Sequence, residues 1–346
     1  MNKPTFLSLT ALAAVAALAL SGCAGEGTAV APEPAPASTL PGEWSSDVLN
    51  IDFATYNPLS LIIKDQGWLE EATAGKVTIN WVQSAGSNKA NEALRAGAID
   101  VGSTAGSAAL LARSNGSPIQ TIDIYSQPNW AAILVPAGSS ITDVADLTGK
   151  SIAATKGTDP YFFLLQALGE AGLSIDDVTL QNLQHADGKA ALESGAVDAW
   201  SGLDPLLSTS VATAGSKIIY DNIDFNSYGF LNATESFIAK SPDLAQLVVD
   251  AYEKAREYAV ANPDETAAIL AEVAGIDISI ATSVIQDRTN LQVDPTPGQK
   301  QHDVLAFIGP IFVQSGDVAS QDLIDAALDS LFNTTFIDTA DPSLIG

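Results

Sequence analysis

A chain of 346 residues, 47% hydrophobic and only 16% charged, carries enough apolar surface for more than one core, which excludes a small module and a globally disordered chain. Fifteen Lys and Arg against 41 Asp and Glu leave a formal charge of −26, so nucleic acid is excluded as a partner and acidic lipid is a poor one. One Cys and two His cannot build a four-ligand zinc site or an internal disulfide, and no metal or cofactor is expected.

At the start of the chain, Lys3 precedes a weakly polar to apolar run from Phe6 to Leu20. That length suits the core of an export signal and falls short of the roughly 20 apolar residues of a membrane span. The run ends in Leu20-Ser21-Gly22-Cys23, which resembles the bacterial lipobox. The resemblance implies a lipoprotein signal peptide over 1–22, lipidation of Cys23, and a mature protein on the extracytoplasmic face of the bacterial cell membrane. Residues 23–44, with Pro32, Pro34, Pro36, Pro41 and several glycines, read as a flexible tether.

The folded part contains a duplication. Ala93 to Ser103 (ALRAGAIDVGS) returns as Ala191 to Ser201 (ALESGAVDAWS), each a helix end, a glycine and a short buried strand. Upstream, Val77–Ile79 corresponds to Val178–Leu180, and Ile51–Phe53 corresponds to Ile152–Ala154. After those last strands, Asn57-Pro58 and Asp159-Pro160 offer an N-cap followed by proline in the first helical turn. Each copy therefore reads strand, helix, strand, helix, strand, the pattern of right-handed crossovers in a mostly parallel sheet. Two α/β lobes follow, and ligands of such sheets sit at the carboxyl ends of the strands. Those ends are Tyr56-Asn57, Ser84 to Asn88 and Ser103-Thr104 in one copy, and Lys156 to Asp159, His185 to Gly188 and Trp200 to Asp204 in the other.

Between the copies, Thr121–Tyr125 and Ala131–Val135 read as strands around Ser126-Gln127-Pro128-Asn129, with the second crossing between lobes. After a strand at Lys217–Tyr220, Ser236–Ala239 reads as the return crossing, so the two passages make a hinge. Helices are expected at 243–261, 263–274, 278–288, 297–314 and 321–332, packed around the first lobe.

Asn57-Pro58-Leu59, Ala93 to Ser103, Ala145 to Lys150 (ADLTGK), Lys156-Gly157, Val197 to Trp200 and Asp204-Pro205, in this order, resemble the solute-binding proteins of ABC importers for aliphatic sulfonates, taurine and nitrate. The resemblance spans roughly 48–340 and implies a periplasmic-binding-protein-like (type II) α/β fold: two lobes around a ligand cleft with two hinge crossings. Lobe 1 is expected over 45–134 and 235–346, and lobe 2 over 135–234. It further implies a monomeric, non-enzymatic receptor that takes a small anionic or zwitterionic ligand, aliphatic sulfonate or taurine-like, to an ABC permease with a cytoplasmic ATPase. The chain departs from the family at Leu203, where many members have an aromatic residue, and at Thr158-Asp159 after the Lys-Gly pair.

Candidate ligand residues are Tyr56, Asn57, Ser84, Gly86, Ser103, Thr104, Gln127, Thr158, Trp200 and Asp204. Hydroxyls and amides can hold an anion without Lys or Arg, because helix N-termini supply partial positive charge. Asp159 is read as a helix cap, and His185 and His302 as surface residues. Three alternatives stay open. A receptor of the same fold could take nitrate or a pyrimidine or thiamine precursor. A sensor would pass its closed state to a signalling partner. A desulfinase-like enzyme is disfavoured because such enzymes use a cysteine nucleophile and the chain's one thiol is Cys23.

Overall fold

The computed structural model describes residues 40–346; the export signal, Cys23 and most of the tether lie outside them. Leu40 and Trp44, the end of the expected tether, instead pack on the core, and Lys76 Nζ donates to the Gly42 carbonyl at 2.6 Å. The folded part thus begins earlier than composition suggests. Among the described residues no helix is long and apolar enough to cross a membrane.

The first copy runs β1 (Val48–Phe53), α1 (Pro58–Gln66), α2 (Trp68–Ala72), β2 (Thr78–Gln83), α3 (Ser87–Ala96) and β3 (Val101–Ala105). Helix α4 (Gly106–Ser114) and β4 (Ile119–Pro128) complete this stretch. Strands β5 (Ala131–Val135) and β6 (Ser151–Ala154) follow, then α5 (Asp159–Glu170), β7 (Thr179–Asn182), α6 (His185–Glu193), β8 (Ala199–Leu203), α7 (Leu206–Ala214) and β9 (Lys217–Asp221). The chain ends with β10 (Gly229–Thr234), α8 (Glu235–Lys240), α9 (Pro242–Ala261), α10 (Pro263–Ala274), α11 (Ile278–Asp287), β11 (Thr289–Asn290), α12 (Gln299–Gln314) and α13 (Gln321–Leu331).

Two sheets result, one of six strands ordered β11-β4-β10-β3-β1-β2 and one of five ordered β7-β6-β8-β5-β9. In both, the first strand of the copy lies between the other two, and all three are parallel, with Val48 opposite Thr78 and Ser151 opposite Thr179. Strands β5 and β10, each the first strand after a passage between sheets, enter antiparallel. The passages therefore differ from the sequence expectation. Ala131–Val135 is wholly paired within the five-stranded sheet, so the first passage is the short link after Pro128. The return lies between Asp221 and Gly229, and Ser236–Ala239 belongs to a helix, because Thr234 Oγ1 accepts from the Phe237 N–H and starts α8.

The duplication has a shared clamp at the amino ends of the strands. Asp100 accepts from the Asn50 N–H at 2.9 Å, and Asp198 accepts from the Ser151 N–H at 2.8 Å. Each carboxylate thereby satisfies a backbone donor at the start of the neighbouring parallel strand.

Candidate functional site

At the carboxyl ends of the first sheet, Asn57 caps α1: its Oδ1 accepts from Ser60 N at 3.3 Å while Nδ2 donates to Tyr252 Oη at 3.0 Å. It is wholly buried and spent on these contacts. Tyr56 Oη donates to the Ser103 carbonyl at 3.0 Å, and its ring meets Trp130 edge to face with centroids 6.0 Å apart. Thr104 Oγ1 accepts from Asn232 Nδ2 at 2.8 Å and donates to Ala105 O.

Asp52 was missed by sequence reasoning. Its carboxylate is wholly buried and accepts from Ser103 N at 2.8 Å and Ser103 Oγ at 3.1 Å. Burial pushes its pKa up to about 7, against the opposing hydrogen bonds from Ser84 and Ser103. Two candidate residues, Ser84 and Ser103, thus converge on one carboxyl group. A charged residue between Ile51 and Phe53, inside a strand whose neighbouring positions are apolar, was the available signal.

On the second sheet Thr158 is the N-cap residue of α5, with Oγ1 donating to Thr155 O at 2.6 Å. Asp159 is the first helical residue and does not cap as expected. Its carboxylate leaves its own helix and accepts from Ser107 Oγ at 2.6 Å, Ser227 Oγ at 2.5 Å, Ser227 N at 2.9 Å and Trp130 Nε1 at 2.8 Å. Burial raises its pKa while those bonds oppose the rise. Lys156 stays exposed, with its ammonium 5.4 Å from the Tyr161 ring centre.

The two rims face each other and touch. A Cβ placed on Gly86 would lie 3.0 Å from the His185 ring, and Asn88 Nδ2 is 3.4 Å from Gln184 Oε1. His185, expected at the surface, is buried, and burial lowers its pKa to about 4, so the ring is neutral. Beside this contact a cavity of about 390 Å³ is lined by Asn88, Asn91, Arg95, Leu111 and Gly157.

Three candidates occupy other positions. Trp200 lies in the core on the α6 and α7 face of its sheet, with Leu192 and Leu207. Strand alternation puts its neighbour Ser201 on the other face, where Oγ donates to Pro160 O. The repeat alignment already paired Trp200 with Gly102, which packs toward Leu94 of α3. Asp204 Oδ1 accepts from Ser208 N and Oγ in the first turn of α7, while Oδ2 pairs with Arg288 Nε at 2.5 Å. Arg288 also reaches Asp221, so it ties the segment after α11 to the five-stranded sheet. Gln127 is half-buried in the short ladder opposite Asn290.

Two sheets with matched parallel triples are joined by two passages and meet at the carboxyl ends of their strands. The NMT1/THI5-like family model matches residues 61–266. This chain belongs to that family. An Escherichia coli protein named for aliphatic-sulfonate binding is 29% identical over 73% of the chain and 80% of its own length. Its Bacillus subtilis namesake is 32% identical over 66% and 70%. The alkanesulfonate-binding protein SsuA from Xanthomonas axonopodis, solved bound to MOPS, shares the fold with a TM-score of 0.75 over 82% of this chain and 98% of that one, at 24% identity. These relatives are binding proteins.

Proposed function

We propose that this NMT1/THI5-like protein is an extracytoplasmic solute receptor, anchored through a lipidated Cys23, that closes its two lobes on an aliphatic sulfonate or taurine-like aminosulfonate. It delivers the solute, as a monomer, to an ABC permease driven by a cytoplasmic ATPase. The observation that carries this reading is the pair of facing rims: neutral hydroxyls and amides at the carboxyl ends of two parallel triples, with Ser84, Gly86, Ser103 and Thr104 on one side and Thr158 on the other. In this arrangement the Ser84 and Ser103 hydroxyls serve Asp52, and those of Thr104 and Thr158 serve backbone carbonyls. The donors left for an anion are backbone N–H groups at the starts of α3 and α5, effective even in a strongly negative protein because at physiological salt the repulsion of distant charges is screened beyond roughly 8 Å. The names of the sulfonate-binding relatives support the ligand class.

A thermal-shift and calorimetry panel of ethanesulfonate, taurine, MOPS, nitrate and a pyrimidine precursor tests the reading. A binder at about 100 times its dissociation constant stabilises the folded form by about 2.7 kcal/mol. Stabilisation by ethanesulfonate or taurine is the expected result. A shift with nitrate or the pyrimidine alone would keep the receptor and discard the sulfonate, and no shift with any of them would discard both.

A further inference from the structure

Asp159 is held as a ligand would be. Its four hydrogen-bond donors come from outside its own helix: Ser107 from the first turn of α4, Trp130 from the first passage between sheets, and Ser227 from the second. All three residues are at most 3% exposed, and none of the donors is charged. They are also fixed to one another and to the fold without Asp159. Ser107 N donates to Ser227 Oγ at 2.8 Å, Trp130 packs on Tyr56, and Asn226 Oδ1 accepts from Ala131 N to link the passages. Nearby, the wholly buried Tyr125 hydroxyl has no hydrogen-bond partner among the described residues. It lies within electrostatic range of Tyr56, Asp52 and Asp159.

We propose that Ser107, Ser227 and Trp130 form an anion subsite at the base of the cleft, filled in the closed arrangement by the chain's own Asp159 carboxylate and taken by the solute's anionic group when Asp159 withdraws. A sulfonate matches a carboxylate in charge and offers one more oxygen, so the same N–H and O–H donors serve both. No bond is made or broken; one oxyanion exchanges for another. Asp159 sits on the opposite lobe from Ser107, so parting the lobes removes it from Ser107 without unfolding α5. The internal carboxylate then lowers the apparent affinity of any simple anion by competition. The identity of the natural anion rests on the receptor reading above, whereas the donor set can be tested apart from it.

The test uses Asp159→Ala with sodium formate, which matches the lost carboxylate, and with sodium methanesulfonate, each against sodium chloride at equal ionic strength. At about ten times the dissociation constant either anion should raise the melting temperature of the variant by about 2–4 °C over chloride. The wild type should not respond to formate, and adding Ser107→Ala to the variant should abolish the response. A variant no more sensitive to formate and methanesulfonate than to chloride would overturn the subsite, even if the wild type binds a natural solute. Should Asp159→Ala not fold, the isosteric Asp159→Asn serves: its neutral amide is a poorer occupant, so methanesulfonate should bind at least about tenfold more tightly than to wild type. Unchanged or weaker binding would show that Asp159 does not compete for the subsite.

Discussion

The same position in the two copies is built in opposite ways. In the second copy Ala153 lies opposite Trp200 across the parallel ladder, and the indole fills the space against α6 so closely that a Cβ on Gly188 would sit 2.7 Å from its Nε1. In the first copy the equivalent residues are Asp52 and Gly102, and the place of an apolar plug is taken by a carboxylate hydrogen-bonded to Ser103. One sheet has converted this strand position into core, while the other keeps a polar, titratable group at the edge that faces the cleft. Duplication preserves topology; the side chains at matched positions decide which copy carries polar chemistry.

The largest effect that would sharpen this contrast is on the apolar side. Trp200→Ala should destabilise the fold by about 3–5 kcal/mol, measured by urea unfolding, because a wholly buried indole leaves a cavity that Gly188 and Gly202 cannot fill. Solute affinity of the folded fraction should be unchanged. A loss of affinity with little loss of stability would place the indole at the ligand instead.

Asp52 should respond in the other direction. The folded chain holds its proton up to about pH 7, whereas the unfolded chain releases it near 3.8, so stability falls as pH rises through that window. Asp52→Asn keeps an acceptor for Ser103 and removes the charge. It should be more stable than wild type at pH 8 by a few kcal/mol, on the order set by about 1.4 kcal/mol per pKa unit, with no difference below pH 4. Equal unfolding free energies at pH 8 would mean that the buried carboxyl is not the cause of the slope.

Arg288 joins the two sheets through Asp204 and Asp221 in a partly exposed pair. Arg288→Gln should cost about 1–3 kcal/mol, because Asp204 is nearly buried and would lose the cation that offsets the cost of burying its carboxylate. Small-angle scattering should report a larger radius of gyration for the variant if this pair helps hold the lobes together. An unchanged radius would confine its role to local stability.

Much of this architecture could be read in the chain, because the duplicated ALRAGAIDVGS and ALESGAVDAWS segments carry helix closure, strand and spacing in local pattern. Asn57-Pro58 likewise announced the start of α1. What escaped depends on distant parts of the chain meeting. Ser227 and Trp130 lie in short passages with no periodicity, and their donation to Asp159 joins positions 68 and 29 residues away. Ser107 is one small residue among several that open α4, with no local pattern that marks it. Trp200 was misplaced for a different reason: its position at a strand end was weighed above the two-residue alternation that decides which face it takes.

The smallest effect tests whether the copies remain equivalent where their sequences agree. Asp100 and Asp198 hold the same motif position and clamp the same backbone donor of the adjoining strand, and each also reaches a side chain, Asn50 Nδ2 in one copy and Ser151 Oγ in the other. The ordinary worth of such bonds is about 1 kcal/mol each. Asp100→Ala and Asp198→Ala should therefore cost nearly the same in urea unfolding, and their effects should add in the double variant, since the clamps sit in different sheets with no shared partner. Because both lie at the strand ends remote from the cleft, neither should change affinity for a solute. A large asymmetry between them would mean that divergence reached the scaffold of the duplication as well as its rims.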